Sequence, residues 1–449
     1  MLERPRAIAG AEVKQVANQG FPLAEAKATL RVEKDTTTVD RAAFRFEWLP
    51  RPQVHFDAGV GHDDMSIESL TRRLNGQTTP NDEISVTIGD ASGSGTLFVQ
   101  ELASGTTRGT INSQFTLTAK QKISRLSARL ANCAKFHGSW ISYDGPASNG
   151  RVRLETEDWQ ITIDQVVNMS ELEKQLKLTR GYAVTHFVEF VPKDKDGVTA
   201  DEAAQLLDGF SYFLSFVVGR WCSVLLAEGT SVSGTCVYKE LSVRRVDSYQ
   251  TTQSWHDHRD GASLQELWAG FWSKWKDDYT QKLLRSVVYT YIVASTVAGQ
   301  DAGIVLGLTG IELLSWSLFI EIEHVISSGG FDDLPTADKV RLLTARLRLD
   351  SAFVGRTDSL AKWANKFVSK CENRFWAAVE VRNRLVHPRK RDQLENFADA
   401  IWDSYQLLMQ TLEYGILYLC GYSGPVTDRL SATWVGETIA APWGKTLST

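Results

Sequence analysis

The spacing of apolar positions along the chain changes once, near residue 250. Before that point, short segments alternate apolar and polar residues and are separated by turn residues, which is the pattern of β-strands. The pattern predicts strands at 43–48, 84–88, 96–100 and 151–155, a helix at about 200–218, and two last strands near 220–227 and 235–247. Because strands and helices do not alternate over long stretches, this region is predicted to be a sandwich or barrel-like α+β domain.

From residue 251 onward the apolar positions recur at helical spacing. A stripe of Trp and other large apolar residues marks a connecting helix within 251–280, with the spacing typical of a core or interface helix. Further helices are predicted at 281–298, 302–326, 337–349, 358–387 with a break near 371, and 392–420. The fold class is therefore predicted to be α+β, with a β-rich N-terminal domain followed by an all-α helical bundle.

The domain boundaries are predicted from the same change of pattern. Residues 1–35 form an N-terminal segment in which a short helix is one reading, and residues 36–250 form the β-rich α+β domain. The Trp-rich connecting helix occupies 251–280 and the bundle 281–422, while 423–449 is expected to be an extended tail. At 449 residues the chain is long enough for each domain to have its own core.

Composition indicates a globular protein of a reducing compartment. The five cysteines are widely spaced and form no C-x-x-C pair, which argues against a disulfide framework or a zinc site and for a cytoplasmic location. The N-terminus lacks the apolar run of a secretory signal. In the apolar region 286–320 the longest uncharged stretch is 286–300, shorter than the roughly 20 residues of a membrane-spanning helix. Buried core helices are therefore expected there, with no membrane role.

Positive charge is concentrated in one segment of an acidic protein. The formal net charge is −5, yet residues 338–391 contain 14 Lys or Arg against five acids, a local charge of +9. Such a concentration attracts a polyanion and accelerates its encounter with the protein. The alternative is a solvated helix face, which is the usual role of a run of charges.

The centre of this segment is a six-residue motif at 382–387, which reads RNRLVH and is followed by Pro388. Asn383 and His387 are four residues apart and share a helix face. Pro388 disfavours helical geometry at His387, so the helix is expected to end there and free the imidazole to turn back toward Arg382. His387 is the acid/base candidate, and Arg382 is suited to bind the scissile phosphate. Asn383 can orient the phosphate or the imidazole by hydrogen bonding.

This motif resembles the R-(polar)-x-x-x-H signature of HEPN-domain ribonucleases. It is most similar to the R-N-x-L-V-H form found in ApeA-like abortive-infection proteins, and the resemblance extends over about 280–422. The resemblance implies a metal-independent endoribonuclease without cofactor, cutting RNA in antiviral defence. It also implies a homodimer in which two bundles line one cleft. The architecture, a β-rich domain upstream of a toxin-like one, suggests that the N-terminal domain senses a phage or cellular trigger or restrains the bundle.

Two alternatives stand beside that expectation. An Arg and a His near a helix C-terminus also favour the helix dipole, so the motif could be structural. A non-catalytic scaffold that dimerises or holds RNA is the second alternative. Some HEPN toxins are silenced by modification of a Tyr just after the motif His, but here no Tyr is close to His387, so such an antitoxin is not expected.

Other residues of the chain are candidates for supporting roles. Arg384, Arg389, Lys390 and Arg391 are candidates for holding neighbouring phosphates. Glu312 lies in an otherwise apolar helix and could pair with Arg382 and orient it, although an exposed or structural glutamate is the simpler reading.

Three further patterns carry no predicted site. The stretches 256–258 and 62–64 contain His and Asp but lack a third ligand at a sensible spacing, so polar loops are expected and no metal. The glycine-rich stretch 89–95 is predicted to be a hairpin, because no helix follows it as in a phosphate-binding loop. Asp392 is a plausible N-cap of the last helix.

Overall fold

The chain forms an α+β structure, as the sequence predicts. The structure is a computed structural model, and it describes residues 4–32, 35–58, 83–103, 106–111, 115–194, 196–257, 259–296, 299–368, 371–387, 398–432, 434 and 436–444. Two compact units are distinguished: the first comprises 1–211 with 222–250, and the second 212–221 with 251–449. The first unit holds a large antiparallel sheet and the second holds helices.

The first six strands of the first unit close into a barrel. They are β1 (Phe21–Val32), β2 (Asp35–Glu47), β3 (Gln53–Ala58), β4 (Glu83–Ile88), β5 (Ala91–Ala103) and β6 (Thr106–Ile111). Their order is β4-β1-β2-β3-β6-β5, and an additional pairing of β4 with β5 closes the ring. As in other small barrels, inward side chains fill the interior. They include Phe44, Phe46, Val54, Phe56, Ile84 and Val86, all buried.

The barrel corrects one expectation and confirms another. The short helix considered within 1–35 is absent from the described residues, where β1 forms instead. Its alternate residues Ala26, Ala28 and Leu30 are buried, which is the two-residue period of a strand. The predicted hairpin at 89–95 is present, with Ile88 paired to Ala91 around a two-residue turn.

The sheet continues beyond the barrel through eight more strands. They are β7 (Thr116–Thr118), β8 (Arg125–Ala131), β9 (Ser139–Ser142), β10 (Ala147–Glu155), β11 (Trp159–Gln165), β12 (Val184–Pro192), β13 (Ser223–Thr230) and β14 (Cys236–Glu240). From β5 the order runs β7-β14-β13-β8-β12-β11-β10-β9. Helix α1 (Met169–Thr179) belongs to this unit, whereas α2 (Ala200–Val218) begins in it and has residues 212–218 in the second unit. Helix α2 has the bounds that the sequence predicts.

The second unit is a bundle of eight helices in its described part. They are α3 (Ala262–Trp275), α4 (Asp278–Thr296), α5 (Gln300–Trp316), α6 (Ser328–Asp332), α7 (Thr336–Arg346), α8 (Asp358–Phe367), α9 (Arg374–Val386) and α10 (Ala398–Leu419). A π-helical segment, Ser317–Ile322, continues α5. The predicted break near 371 is confirmed, because α8 ends at Phe367 and α9 begins at Arg374.

Helices α5 and α10 approach closely because α5 presents glycines. A Cβ atom on Gly303 would lie 2.6 Å from the ring of Tyr405, and one on Gly310 would lie 3.0 Å from Leu412. The stretch Gln300–Ile322 is long and apolar enough to cross a membrane by composition alone. However, 61% of its most apolar window is buried inside the protein, as in the core helix of a bundle.

The segment after residue 422 was expected to be extended, but its described part is folded. It forms the short hairpin of β15 (Pro425–Val426) with β16 (Ile439–Ala440) and buries Leu430 and Trp443. The indole nitrogen of Trp443 donates to the Tyr422 carbonyl at 2.8 Å. Leu430 and Trp443 thus belong to the core of the second unit, whereas Trp434 and Ile439 of the same segment are exposed.

Candidate active site at the end of helix α9

Helix α9 carries the RNRLVH motif in its last two turns. The helix starts at the N-cap Asn373, whose side chain accepts hydrogen bonds from the backbone N–H of Phe375 at 3.0 Å and Trp376 at 2.9 Å. It ends at Val386, and the backbone N–H of the C-cap His387 donates to the Asn383 carbonyl at 2.9 Å. The predicted helix end before Pro388 is confirmed, because a proline disfavours helical geometry in the preceding residue.

The motif passes from the core to the surface. Val381, just before it, is buried, residues 382–385 are half-buried, and Val386 and His387 are exposed. The Nη1 of Arg382 donates to the Oδ1 of Asn383 at 3.3 Å, so these two predicted residues are brought together. Within the described residues the buried Nε of Arg382 has no hydrogen-bond partner. The sequence predicts that His387 turns back toward Arg382, but the described residues show no hydrogen bond between these two side chains. His387 is exposed at the end of the helix.

Arg384 is occupied by protein partners. Its Nε donates to the Glu380 carboxylate at 3.3 Å, and its Nη2 donates to the Phe367 carbonyl at the end of α8. The guanidinium also lies over the ring of Trp363, 5.1 Å from the centroid, and only 15% of the side chain is exposed. Arg384 thus fastens α8 to α9, and a phosphate contact would compete with these interactions. Its RNA-binding role stays a prediction.

Several other predicted residues lie outside the described part of the chain. Arg389, Lys390, Arg391 and the candidate N-cap Asp392 fall within 388–397. The stretch 62–64 and His258 also fall outside it. Among the described residues no group of three or more His, Cys, Asp or Glu side chains could hold a metal ion.

Glu312 lies half-buried on α5. Among the hydrogen bonds and ion pairs of the described residues, none joins Glu312 to Arg382, whose terminal nitrogen is directed to Asn383 instead. The proposed orienting role for Glu312 therefore has no contact behind it in this structure.

Ion pairs reduce the positive field that the sequence suggests around the motif. Arg346 pairs with Glu323, an acid outside the basic segment that the +9 does not include, whereas Arg341 pairs at 3.1 Å with Asp338 and also with Glu372, two acids that it already includes. Arg374 is 6% exposed. The charge available to a polyanion is therefore smaller than the formal +9.

Sequence reasoning missed a buried polar network in the second unit. Arg429 donates to both carboxylate oxygens of Glu413, at 2.6 and 2.8 Å, and both side chains are buried. The Tyr291 hydroxyl donates to the same carboxylate at 2.6 Å, and Arg429 also donates to Gln406 at 3.3 Å and to the Gln253 carbonyl at 3.0 Å. Burial and the Glu413 charge raise the pKa of Tyr291 well above its ordinary value.

One signal could have revealed this network. Glu413 interrupts the apolar positions of the last predicted helix, and a carboxylate in such a place requires a partner. The partner Arg429 lies in the tail, which was expected to be extended, so sequence spacing gave no reason to connect them.

Comparison with known protein families gives matches to two domains of one protein, YopA. Residues 118–252 match the YopA central domain, and residues 277–440 match the YopA C-terminal domain. The chain is similar to YopA in two separate regions. The SPbeta prophage-derived uncharacterized protein YopA of Bacillus subtilis (strain 168) is 24% identical over 334 residues, which cover 73% of either chain. No solved structure matches the chain.

The YopA matches divide the structure in an informative way. The C-terminal match contains the RNRLVH motif, Glu413 and Arg429, whereas the barrel strands β1 to β6 lie outside both matched regions. The relative is itself described as uncharacterized, so the similarity to YopA carries no activity with it.

Proposed function

We propose that this chain is a metal-independent endoribonuclease of the HEPN type, with Arg382, Asn383 and His387 as its catalytic residues. The observation that carries the proposal is the end of α9. There the Arg382 guanidinium is held beside the Asn383 amide, and the His387 imidazole follows one turn later and is exposed to solvent.

The proposed reaction needs one proton acceptor and one proton donor. A base removes the proton of the 2′-hydroxyl, the 2′-oxygen forms a bond to phosphorus, the bond to the 5′-oxygen breaks, and an acid protonates that oxygen. The products are a 2′,3′-cyclic phosphate and a 5′-hydroxyl. His387 suits either proton transfer, while Arg382 stabilises the charge that develops on the phosphate oxygens. Asn383 holds Arg382 in place.

A single chain supplies one His387 for two proton transfers. A homodimer in which both motifs line one cleft provides the second imidazole, and two-fold pairing is the commonest form of self-association. We propose that this dimer acts in the cytoplasm as an abortive-infection effector and that the N-terminal domain senses a phage or cellular trigger. The prophage origin stated for the YopA relative is consistent with a role in conflict between phages and their hosts.

A non-catalytic scaffold that dimerises or holds RNA remains the second candidate. It is favoured by the ion pairs that occupy Arg341, Arg346 and Arg384, because these leave fewer cations for a highly charged transition state.

Incubation with single-stranded RNA in EDTA distinguishes the two candidates. We expect cleavage by the unaltered chain and its loss in His387→Ala and Arg382→Ala. His324→Ala is a matched control, because His324 is also an exposed histidine just after a helical segment of the second unit. Cleavage that persists in both motif variants would refute the site. Intact RNA throughout, with binding retained, would favour the scaffold.

A further inference from the structure

The last residue of α8 presents an aromatic ring to solvent next to the motif. Phe367 is 37% exposed, although most large aromatic side chains of the second unit are buried. Its ring packs against Trp363, with the two centroids 6.1 Å apart, and Trp363 itself is only 6% exposed. The exposed ring therefore packs against a buried side chain.

Two cations lie over this ring. The Lys366 ammonium is 4.9 Å from the Phe367 centroid and the Arg384 guanidinium 5.8 Å from it. Arg384 also donates a hydrogen bond to the Phe367 carbonyl, so it is held in place, whereas the Lys366 side chain would move off the ring when a base stacks there. An exposed aromatic ring with positive charge nearby is an arrangement that binds single-stranded nucleic acids, where a base stacks and a phosphate is neutralised.

Arg384 links this ring to the end of α9. Arg384, which contacts Phe367, lies in the last turn of α9, and the C-cap His387 follows it by three residues. A strand of RNA whose phosphate meets His387 can therefore place an adjacent base over Phe367.

We propose that Phe367 is the stacking platform for a nucleobase next to the cleaved phosphate, with Lys366 contacting the backbone of that nucleotide. This inference rests on the proposed ribonuclease function and adds a base-binding subsite to it. Stacking on an aromatic ring tolerates every base, so the subsite would contribute affinity and positioning more than sequence preference.

The test measures RNA binding in a His387→Ala background, so that cleavage does not consume the probe. The probe is a single-stranded oligoribonucleotide, together with versions carrying an abasic site at each position in turn. We expect Phe367→Leu to weaken binding about tenfold and Phe367→Trp to retain it, since stacking requires a ring. Tyr279→Leu is the matched control, because Tyr279 is 38% exposed elsewhere in the bundle.

The abasic series identifies the stacked base. One abasic position should weaken binding by the His387→Ala protein about as much as Phe367→Leu does, and should cause no further loss in the double variant. Melting temperatures of the Phe367→Leu and Phe367→Trp variants that equal that of the His387→Ala parent verify that the fold is intact.

Unaltered binding by Phe367→Leu, with RNA cleavage intact in the unaltered chain, would overturn the platform and leave the ribonuclease standing. An abasic loss that is the same with and without Phe367 would also overturn it. Failure of the unaltered chain either to bind or to cleave RNA would overturn both.

Discussion

Arg382 and Arg429 lie in the same helical unit and differ in almost every contact. Arg429 is buried and donates hydrogen bonds to Glu413, Gln406 and the Gln253 carbonyl. Arg382 is half-buried, makes one hydrogen bond of 3.3 Å to Asn383, and keeps a buried Nε without a partner in the described structure. The Arg429 guanidinium is satisfied by its own protein, whereas the Arg382 guanidinium is only half-buried and, among the described residues, is held by a single long hydrogen bond.

This difference suggests a division of roles. Removing one partner of a buried ion pair leaves an uncompensated charge in the core, so the Arg429 network should determine stability. A half-exposed guanidinium contributes little to stability but can bind a phosphate through several donors. The experiments below change one property at a time.

The largest effect is expected from Arg429→Met. The substitution leaves the Glu413 carboxylate buried without its cation and should lower the free energy of unfolding by about 3–5 kcal/mol, measured by chemical denaturation. The double variant Glu413→Leu with Arg429→Met should recover much of this loss, because no unpaired charge remains. A loss below about 1 kcal/mol in the single variant would show that the Arg429 network does not determine the stability of the second unit.

The next effect concerns activity alone. Arg382→Gln should reduce the rate of RNA cleavage at least about 100-fold, because an oriented charge on the transition state is lost. Its free energy of unfolding should change by less than about 1 kcal/mol. Arg348→Gln, at an exposed arginine of the same basic segment, is the control and should leave both quantities near those of the unaltered chain. A large loss of stability in Arg382→Gln would mean that the motif arginine is structural.

A smaller effect tests a buried titratable group in the first unit. His186 is 1% exposed, and burial lowers the pKa of its imidazole from an ordinary value near 6.5 to about 3. The unfolded chain therefore binds the proton more strongly between these values, so the neutral imidazole stabilises the fold above about pH 6.5 and this stability is lost as the pH falls.

Between pH 7 and pH 5 the unaltered chain should lose about 2 kcal/mol more than His186→Gln, measured by denaturation at both values. The exposed His324→Gln should follow the unaltered chain. Equal losses in the unaltered chain and His186→Gln would show that the His186 imidazole is not neutral and buried as described.

The smallest effect is expected at Arg384, which combines features of the two arginines. Its contacts with Glu380, Trp363 and the Phe367 carbonyl suggest that Arg384→Gln lowers the free energy of unfolding by about 1 kcal/mol. A purely structural Arg384 should leave the salt dependence of RNA binding unchanged. A salt slope reduced by about one unit, with stability unaffected, would instead assign Arg384 to a phosphate.

Local signals in the sequence predicted the local features of the structure. Helix α9 ends at Val386, two residues before Pro388, and the break near 371 appears between Phe367 and Arg374, because both depend on residues close in the chain. The apolar period correctly placed the β-rich region before residue 250 and the helical region after it, although it did not predict helix α1 (Met169–Thr179). These features require only backbone preferences and periodicity.

Features that depend on distant residues were not predicted. Barrel closure depends on the pairing of β4 with both β1 and β5, which periodicity does not specify. The Arg429–Glu413 pair joins a tail to the middle of a helix. The contact of Arg384 with α8 depends on a residue 17 positions away. The sequence alone therefore predicts that Arg384 is available to bind RNA.

The chemistry of the RNA ends tests the central claim most directly. The purified chain would be incubated in EDTA with a single-stranded RNA and with the same RNA carrying one 2′-deoxynucleotide at the cleaved position, and the products would be identified by mass spectrometry. We predict 2′,3′-cyclic phosphate and 5′-hydroxyl ends, no cleavage at the deoxy position, and no cleavage by His387→Ala. Intact RNA with the unaltered chain, or 5′-phosphate ends that appear only when divalent metal is added, would contradict the assignment of Arg382, Asn383 and His387 as a metal-independent active site.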